Sequence, residues 1–293
     1  MKNIKLTFFF LLPLLVMFLA GCGTHQTRAK SSVVDYLYPG GTEKIVTPSI
    51  PVLTLPLKVG IAFVPEQKTE RRGARLWSGS GVVGGGALTS AKKSELLETV
   101  AANFRELDFV SEIEVIPSEY LTHNGSFSNL EQIKTMYGID VIALVSYDQV
   151  QFTDEGLLSL TYWTIVGAYV VSGEKNDTST MLDTVVYDIK SKKMLFRAPG
   201  TSLVEGNATP INLSEELRAD SIKSFEEAAV KMSENLNTQL SNFKKKIKRN
   251  PEQVKIVHSS GYSGGGGTMG FLELMFLLLA FSAKKYLTIK GGS

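Results

Sequence analysis

The only cysteine of the chain, Cys22, stands at the end of a short apolar run and directly behind two small residues. A single cysteine rules out an intramolecular disulfide framework and a multi-cysteine zinc site. Whatever folds must therefore rest on an ordinary apolar core. The 293 residues, 43% hydrophobic and 20% charged, are enough for one large domain or two ordinary ones. Part of the apolar fraction lies in two terminal blocks. Lys2 and Lys5 in front, with Lys284, Lys285 and Lys290 against Glu273 behind, account for five of the 31 basic and one of the 29 acidic residues, leaving 26 against 28. The slight basicity belongs to the ends, and the centre gives no electrostatic reason to expect nucleic acid as a partner.

At the front, Met1-Lys-Asn-Ile-Lys5 is a positive start, residues 6–19 are almost wholly apolar, and Leu19-Ala20-Gly21-Cys22 follows. That order is a secretory signal, and its apolar run is shorter than the roughly 20 residues of a spanning helix. The four-residue block resembles the lipobox of bacterial lipoproteins. The resemblance implies recognition of Leu19, Ala20 and Gly21 by the signal peptidase and acylation of Cys22, with palmitate-type chains contributing ~0.8 kcal/mol per buried methylene. Gly23 stands where an Asp would retain an enterobacterial lipoprotein in the inner membrane, which points to the outer membrane, facing the periplasm or the cell surface.

At the back, Gly264, Gly265, Gly266 and Gly267 precede an apolar run over 269–283, interrupted by Glu273 and closed by Lys284 and Lys285. Glycines cost about 1 kcal/mol each in a helix, so the stretch before the run is expected to be unwound and accessible. Lysines on the cytoplasmic side leave the glycines on the periplasmic side, the same side as Cys22. This layout resembles the GlyGly-CTERM sorting tail, which implies cleavage near the glycines by rhombosortase, a rhomboid-type intramembrane protease, and a transient C-terminal anchor in the inner membrane. A lipobox and such a tail together resemble the rhombotail lipoprotein family, as does the segment Ser-Ser-Val-Val-Asp-Tyr-Leu-Tyr-Pro over 31–39. The family implies processing and location, and carries no established biochemical activity.

Between the ends, 22–55 reads as a polar, proline-bearing lipidated tether, with Pro39, Pro48 and Pro51. Residues 57–64 form a buried-strand pattern between Pro56 and Pro65, followed by a long loop over 66–89 that carries Arg71, Arg72, Arg75 and Trp77. Ser90 is placed to cap a helix through Leu96, Leu97, Val100 and Phe104. Residues 112–117 read as a short strand, 130–137 as a short helix stopped by Gly138, and 140–152 as a central strand. The run 157–171 is apolar on both parities and is consistent with strand or helix. Residues 180–190 and 194–200 flank Ser191-Lys192-Lys193 as a hairpin. Asn212 and Glu215 predict a capping box for a long helix through Leu217, Phe225, Met232, Leu236 and Phe243, with basic residues at its end and Asn250-Pro251 as its stop.

The expected architecture is α/β, a mixed sheet packed by helices and completed by a long C-terminal helix, with signal and tail helices at the termini. The expected division is 1–21 signal peptide, 22–55 tether, 56–250 periplasmic domain, 251–267 Gly/Ser-rich linker and 268–293 sorting tail. The core order resembles small periplasmic domains of the curli-secretion lipoprotein type, carried by Val-Gly-Ile-Ala-Phe (59–63) and Tyr-Gly-Ile-Asp-Val-Ile-Ala-Leu-Val (137–145). That is a likeness of fold, which does not fix function.

Catalytic motifs are thin. Gly79, Gly81 and Gly84 satisfy G-x-G-x-x-G but stand some fifteen residues after the preceding strand, whereas a dinucleotide fingerprint needs them directly behind it. His25, His123 and His258 have no ligand spacing, and no nucleophile elbow is present. Asp154 with Glu155 and Glu215 with Glu216 read as solvated or capping acids. The expectation is a non-enzymatic envelope lipoprotein without metal or cofactor, whose partners are membrane lipid, the rhombosortase-type protease and an envelope protein. The alternatives are an exported hydrolase with a motif-poor site around His123, or a membrane-associated oligomeric export component that uses 157–171.

Overall fold

The structure is a computed structural model that describes residues 24–41, 49–67, 70–72, 88–155, 174–208 and 212–262. The two processing signals, the glycine loop over 79–84, Arg75, Trp77 and the 157–171 run lie outside these residues.

The chain forms strand β1 (Thr24–Lys30), helix α1 (Val33–Leu37), strands β2 (Val52–Leu55), β3 (Leu57–Phe63) and β4 (Glu70–Arg72), and helix α2 (Ser90–Ala102). Strand β5 (Val110–Val115), helix α3 (Ser126–Tyr137), strands β6 (Val141–Glu155), β7 (Glu174–Asp188) and β8 (Lys193–Ala208), helix α4 (Leu213–Arg249) and strand β9 (Lys255–His258) follow. Seven strands make one mixed sheet, and β2 pairs with β9 in a separate parallel ribbon. This is the α/β architecture that the sequence predicts.

Strand alternation builds the core. Along β6, Val141, Ala143, Val145 and Tyr147 point to one face, while Ile142 and Leu144 point to the other. The first face is covered by α2 and α4 through Leu96, Leu97, Val100, Phe225, Ala228 and Met232. The second is covered by α1 and α3 through Val33, Leu37, Phe127, Leu130 and Ile133. The result is a three-layer head. α3 ends at Gly138, whose φ of 64° is the left-handed value that glycine adopts without a Cβ penalty. Gly200 serves close packing instead: a Cβ there would overlap the Ala228 carbonyl and the Met232 nitrogen, so the α4 backbone lies directly on β8.

Beyond the head, β6, β7 and β8 continue together. The β6–β7 register runs unbroken from Val141↔Asp188 to Glu155↔Glu174, about 48 Å at the usual rise per residue. Strand β1 joins the far half of β6 antiparallel, from Lys30↔Asp148 to Thr24↔Asp154, and β4 joins β1. The extension is a five-stranded antiparallel arm. Helix α4, 37 residues long and thus about 55 Å, runs back along arm and head from the tip toward the base.

Several local expectations are corrected. The tether read over 22–55 is folded: 24–30 is a sheet strand, 33–37 a helix and 52–55 a strand. The linker read over 251–267 contributes β9. Arg71 and Arg72 sit in β4, opposite Thr27 and Gln26, instead of in an open loop. Thr89 caps α2, its side chain accepting from Lys92 N, and Ser90 is the first helical residue. The Asn212–Glu215 capping box does not form: Asn212 has helical backbone angles, and its main-chain carbonyl accepts from Glu215 N and Glu216 N.

Candidate functional site

In open α/β sheets the ligand crevice lies outside the carboxyl ends of parallel strands, where successive crossovers pass to opposite faces. Here that switch point lies between β3 and β6. The connection from β3 to β5 carries α2 on one face, and that from β5 to β6 carries α3 on the other. The crevice is filled. Val64 N donates to Val145 O, Ser31 N donates to Tyr147 O, and Ser31 bridges to Glu66. Strand β1 thus takes up the line that β3 leaves. Tyr147 blocks the interior, its ring edge-on to Phe63 at 6.0 Å and Phe225 at 5.3 Å. Burial, and then the nearby Glu66 carboxylate, raise the Tyr147 phenol far above its ordinary value, so it is no acid–base group at neutral pH. Lys93, buried, pairs with Glu66 and lies 5.7 Å from the Tyr147 ring centre. The cluster joins arm to head.

The histidines stay apart: His25 is in β1, His123 is exposed ahead of α3, and His258 is exposed in β9 beside Tyr262. Among the described residues, no Ser or acidic partner is hydrogen-bonded to His123, and no cluster of His, Cys, Asp or Glu could hold a metal ion. Glu215 and Glu216 occupy the first turn of α4, where acids complement the helix dipole.

The unusual feature is how α4 seats on the arm. Past Tyr147 the core-facing parity of β6 turns polar, as Gln149, Gln151 and Thr153, and β7 answers with Asn176, Thr178 and Thr180, all buried. Helix α4 presents Leu217, Ser221 and Ser224 at helical spacing. Gln149 Nε2 donates to Thr180 Oγ1 at 2.8 Å and to Ser221 O at 3.3 Å, and its Oε1 accepts from Ser221 Oγ at 2.7 Å. Gln151 Nε2 donates to Thr178 Oγ1 and to Leu217 O, and Ser224 Oγ donates to Thr180 Oγ1. Toward the tip, satisfaction fails. Gln151 Oε1 is buried without a hydrogen-bond partner among the described residues, and Asn176 and Asp220 Oδ2, buried near each other, form no hydrogen bond of full geometry although the amide is close enough to act on the carboxylate. Burial lifts the Asp220 carboxyl above its ordinary value, opposed by the neighbouring Asn176 amide and by Lys223. The seam is not among the sites that the sequence motifs point to. Its signal was present, as polar residues on the core parity of a strand.

The predicted processing residues lie outside the described part of the chain, but their points of attachment lie within it. Thr24, two residues after Cys22, registers with Asp154 at the arm tip. At the other end, Ser259 N and Oγ both donate to Leu55 O, and Tyr262 Oη donates to Asp108 O. Gly264 therefore follows two residues beyond a segment fixed to the base of the head. Among the described residues no helix is long and apolar enough to cross a membrane, which says nothing about strands.

No family model matches the chain. No curated protein matches it. Among solved structures it is similar to a neuraminyllactose-binding hemagglutinin homolog from Helicobacter pylori, at 10% identity and a TM-score of 0.33, over 71% of this chain and 96% of that one. It is also similar to lipoprotein GNA1162 from Neisseria meningitidis, at 10% identity and a TM-score of 0.23, over 58% and 93% respectively. Likenesses at these scores carry no inference about what this chain does.

Proposed function

We propose that the chain is a cell-envelope lipoprotein of the rhombotail type, acylated at Cys22 and trimmed near Gly264–Gly267 by a rhombosortase-type protease. Its folded part acts as a non-enzymatic binding or scaffold component on the outer membrane. The observation that carries the reading is the Leu19-Ala20-Gly21-Cys22 block behind a positive, apolar leader, with the chain's one thiol at the site of acylation. The closed switch point supports a role other than catalysis, because the place where this topology ordinarily holds a ligand is occupied by β1 and Tyr147.

Intact-mass and peptide mass spectrometry of protein extracted from membranes test it. The expected product begins at Cys22, carries a diacylglyceryl group there, and lacks everything after the glycines. An unmodified Cys22 refutes the lipoprotein assignment. A peptide covering 284–293 in mature protein refutes the sorting tail while leaving the lipidation standing.

A further inference from the structure

We propose that the end of the arm and its uncovered face form a membrane-contact surface that lies on the lipid bilayer at headgroup depth; this rests on the lipoprotein reading above and assigns it a docking surface. The first ground is where the chain enters. Thr24 pairs with Asp154, one residue short of the last β6–β7 pair, Glu155↔Glu174. Cys22 is two residues upstream, no more than about 7 Å of chain. Acyl chains on Cys22 therefore hold the arm tip itself against the bilayer. A long tether would leave the orientation of the domain open; β1 removes that freedom.

The second ground is an inverted pattern of polarity. An antiparallel sheet with one face covered and one face in water places apolar residues inward and polar residues outward. The arm departs from this on both faces. Its covered face is mostly polar, with Gln149, Gln151, Thr178, Thr180 and Asn176 beside Val204. Its open face carries Phe152 at 40%, Met181 at 39% and Leu203 at 60% exposure. These lie in adjacent register rows, Phe152↔Asp177, then Val150↔Ser179↔Leu203, then Asp148↔Met181, so they form one patch around Ser179. Polar-in and apolar-out is the arrangement of strands whose outer medium is lipid. The charges set the depth. Asp177 and Glu205 continue the Phe152 row across β7 and β8 on the same face, and the Arg28–Asp148 pair borders the patch. Groups of that kind are stable among headgroups and costly in the hydrocarbon core.

The third ground is the chain outside the described residues. The 18 residues between Glu155 and Glu174 leave and return at this tip, and their sequence contains no Asp, Glu, Lys or Arg.

Depth-dependent fluorescence quenching on the mature lipoprotein, purified from membranes, tests the surface. Acylation blocks Cys22, so an introduced cysteine is the only reactive thiol. Leu203→Cys and Ser179→Cys on the arm, and Glu252→Cys at the base, are each labelled with an environment-sensitive fluorophore. The labelled proteins are reconstituted in phosphatidylethanolamine/phosphatidylglycerol vesicles with or without lipid brominated near the headgroup. The expected result is loss of at least half the emission at 203 and 179 with brominated lipid, and no change at 252. Equal quenching at the two poles overturns the proposal. So does a blue-shifted but unquenched label at 203 and 179, which would mean that the patch is covered by the 156–173 segment or by a second copy of the chain. If mass spectrometry finds Cys22 unacylated, the lipoprotein reading fails by itself. The same labels are then read on a Cys22→Ser background mixed with vesicles, where quenching sustains the contact surface and its absence ends it.

Discussion

Gln149 should be the residue on which the arm most depends. It is 2% exposed and makes three hydrogen bonds across the seam, to Thr180 Oγ1, to Ser221 O and from Ser221 Oγ. Replacement by Leu keeps the volume and removes all three. At a net value of about 1 kcal/mol per bond, the expected loss is about 3 kcal/mol, within 2–4. Ser221→Ala removes one bond and leaves Gln149 Oε1 without a partner, for an expected loss of about 1–2 kcal/mol. The two changes share an interaction, so they should not add. With both polar partners gone no orphan remains from that pair, and the double variant should cost about 3 kcal/mol against an additive sum of about 4–5. The assay is urea unfolding of residues 23–262 followed by far-ultraviolet circular dichroism, with the four species compared at equal slope. A coupling energy indistinguishable from zero would refute the view that the seam is a bonded, water-excluded contact. A Gln149→Leu variant more stable than the parent would do the same, since it would mean that the seam gains more from apolar filling than from its hydrogen bonds.

Two further predictions concern backbone contact and titration. Gly200→Ala should destabilise by about 3 kcal/mol or more, because its Cβ meets rigid α4 backbone at Ala228 and Met232; Gly60→Ala should cost only about 1 kcal/mol, because its Cβ meets movable Cδ1 atoms of Ile139 and Ile116 at 2.5 and 2.8 Å. Reversed midpoints in thermal unfolding would contradict the placement of α4 on β8. Asp220 has a folded pKa raised above its ordinary 3.8, so the native state holds that proton more tightly than the unfolded chain does. Its stabilisation is complete below the ordinary value and is lost as pH rises through the folded value. Asp220→Asn should therefore melt higher than the parent near pH 7, with the difference shrinking on acidification. A gap that widens toward acid would show the sign to be wrong.

The head was legible because its signals are local. Val59 to Phe63, the 141–147 run, the helical spacing of Leu96, Leu97 and Val100, and Gly138 each announce an element within a few residues, and the structure uses them so. The arm was not, because its pairing is distant and its residues are polar. β1 reads Thr-His-Gln-Thr-Arg-Ala-Lys and is held by β6 more than a hundred residues away; only Thr27 and Ala29 of its inward parity are seen buried, and both are small. Nothing local separates such a strand from a tether. β9 likewise exists through pairing with β2 across most of the chain. The strand over 140–152 is predicted, but the seam along it is not: its core parity continues unbroken from Tyr147 to Gln149, Gln151 and Thr153, where buried amides and hydroxyls give no apolar signal. Hydrophobic periodicity finds strands that bury oil, and it misses one that buries amides.

Head and arm are consequently held by different physics, and this couples arm stability to membrane contact. The head's cluster around Phe63, Phe225, Leu182 and Met232 is apolar and closed, and burial of that kind is worth about 25 cal/mol per Å². The arm gains little from burial on its open face in water, and it depends on a seam whose tip end leaves Gln151, Asn176 and Asp220 partly unsatisfied. Local opening should therefore begin at the tip and stop near Tyr147, where the aromatic packing begins. A bilayer against Phe152, Met181 and Leu203 adds burial only when the arm is formed. Lipid then binds the closed arm and not the open one, and stabilises it by mass action. The coupling is reciprocal: changes that weaken the seam, such as Gln149→Leu, must also weaken contact with the membrane, although Gln149 faces away from it.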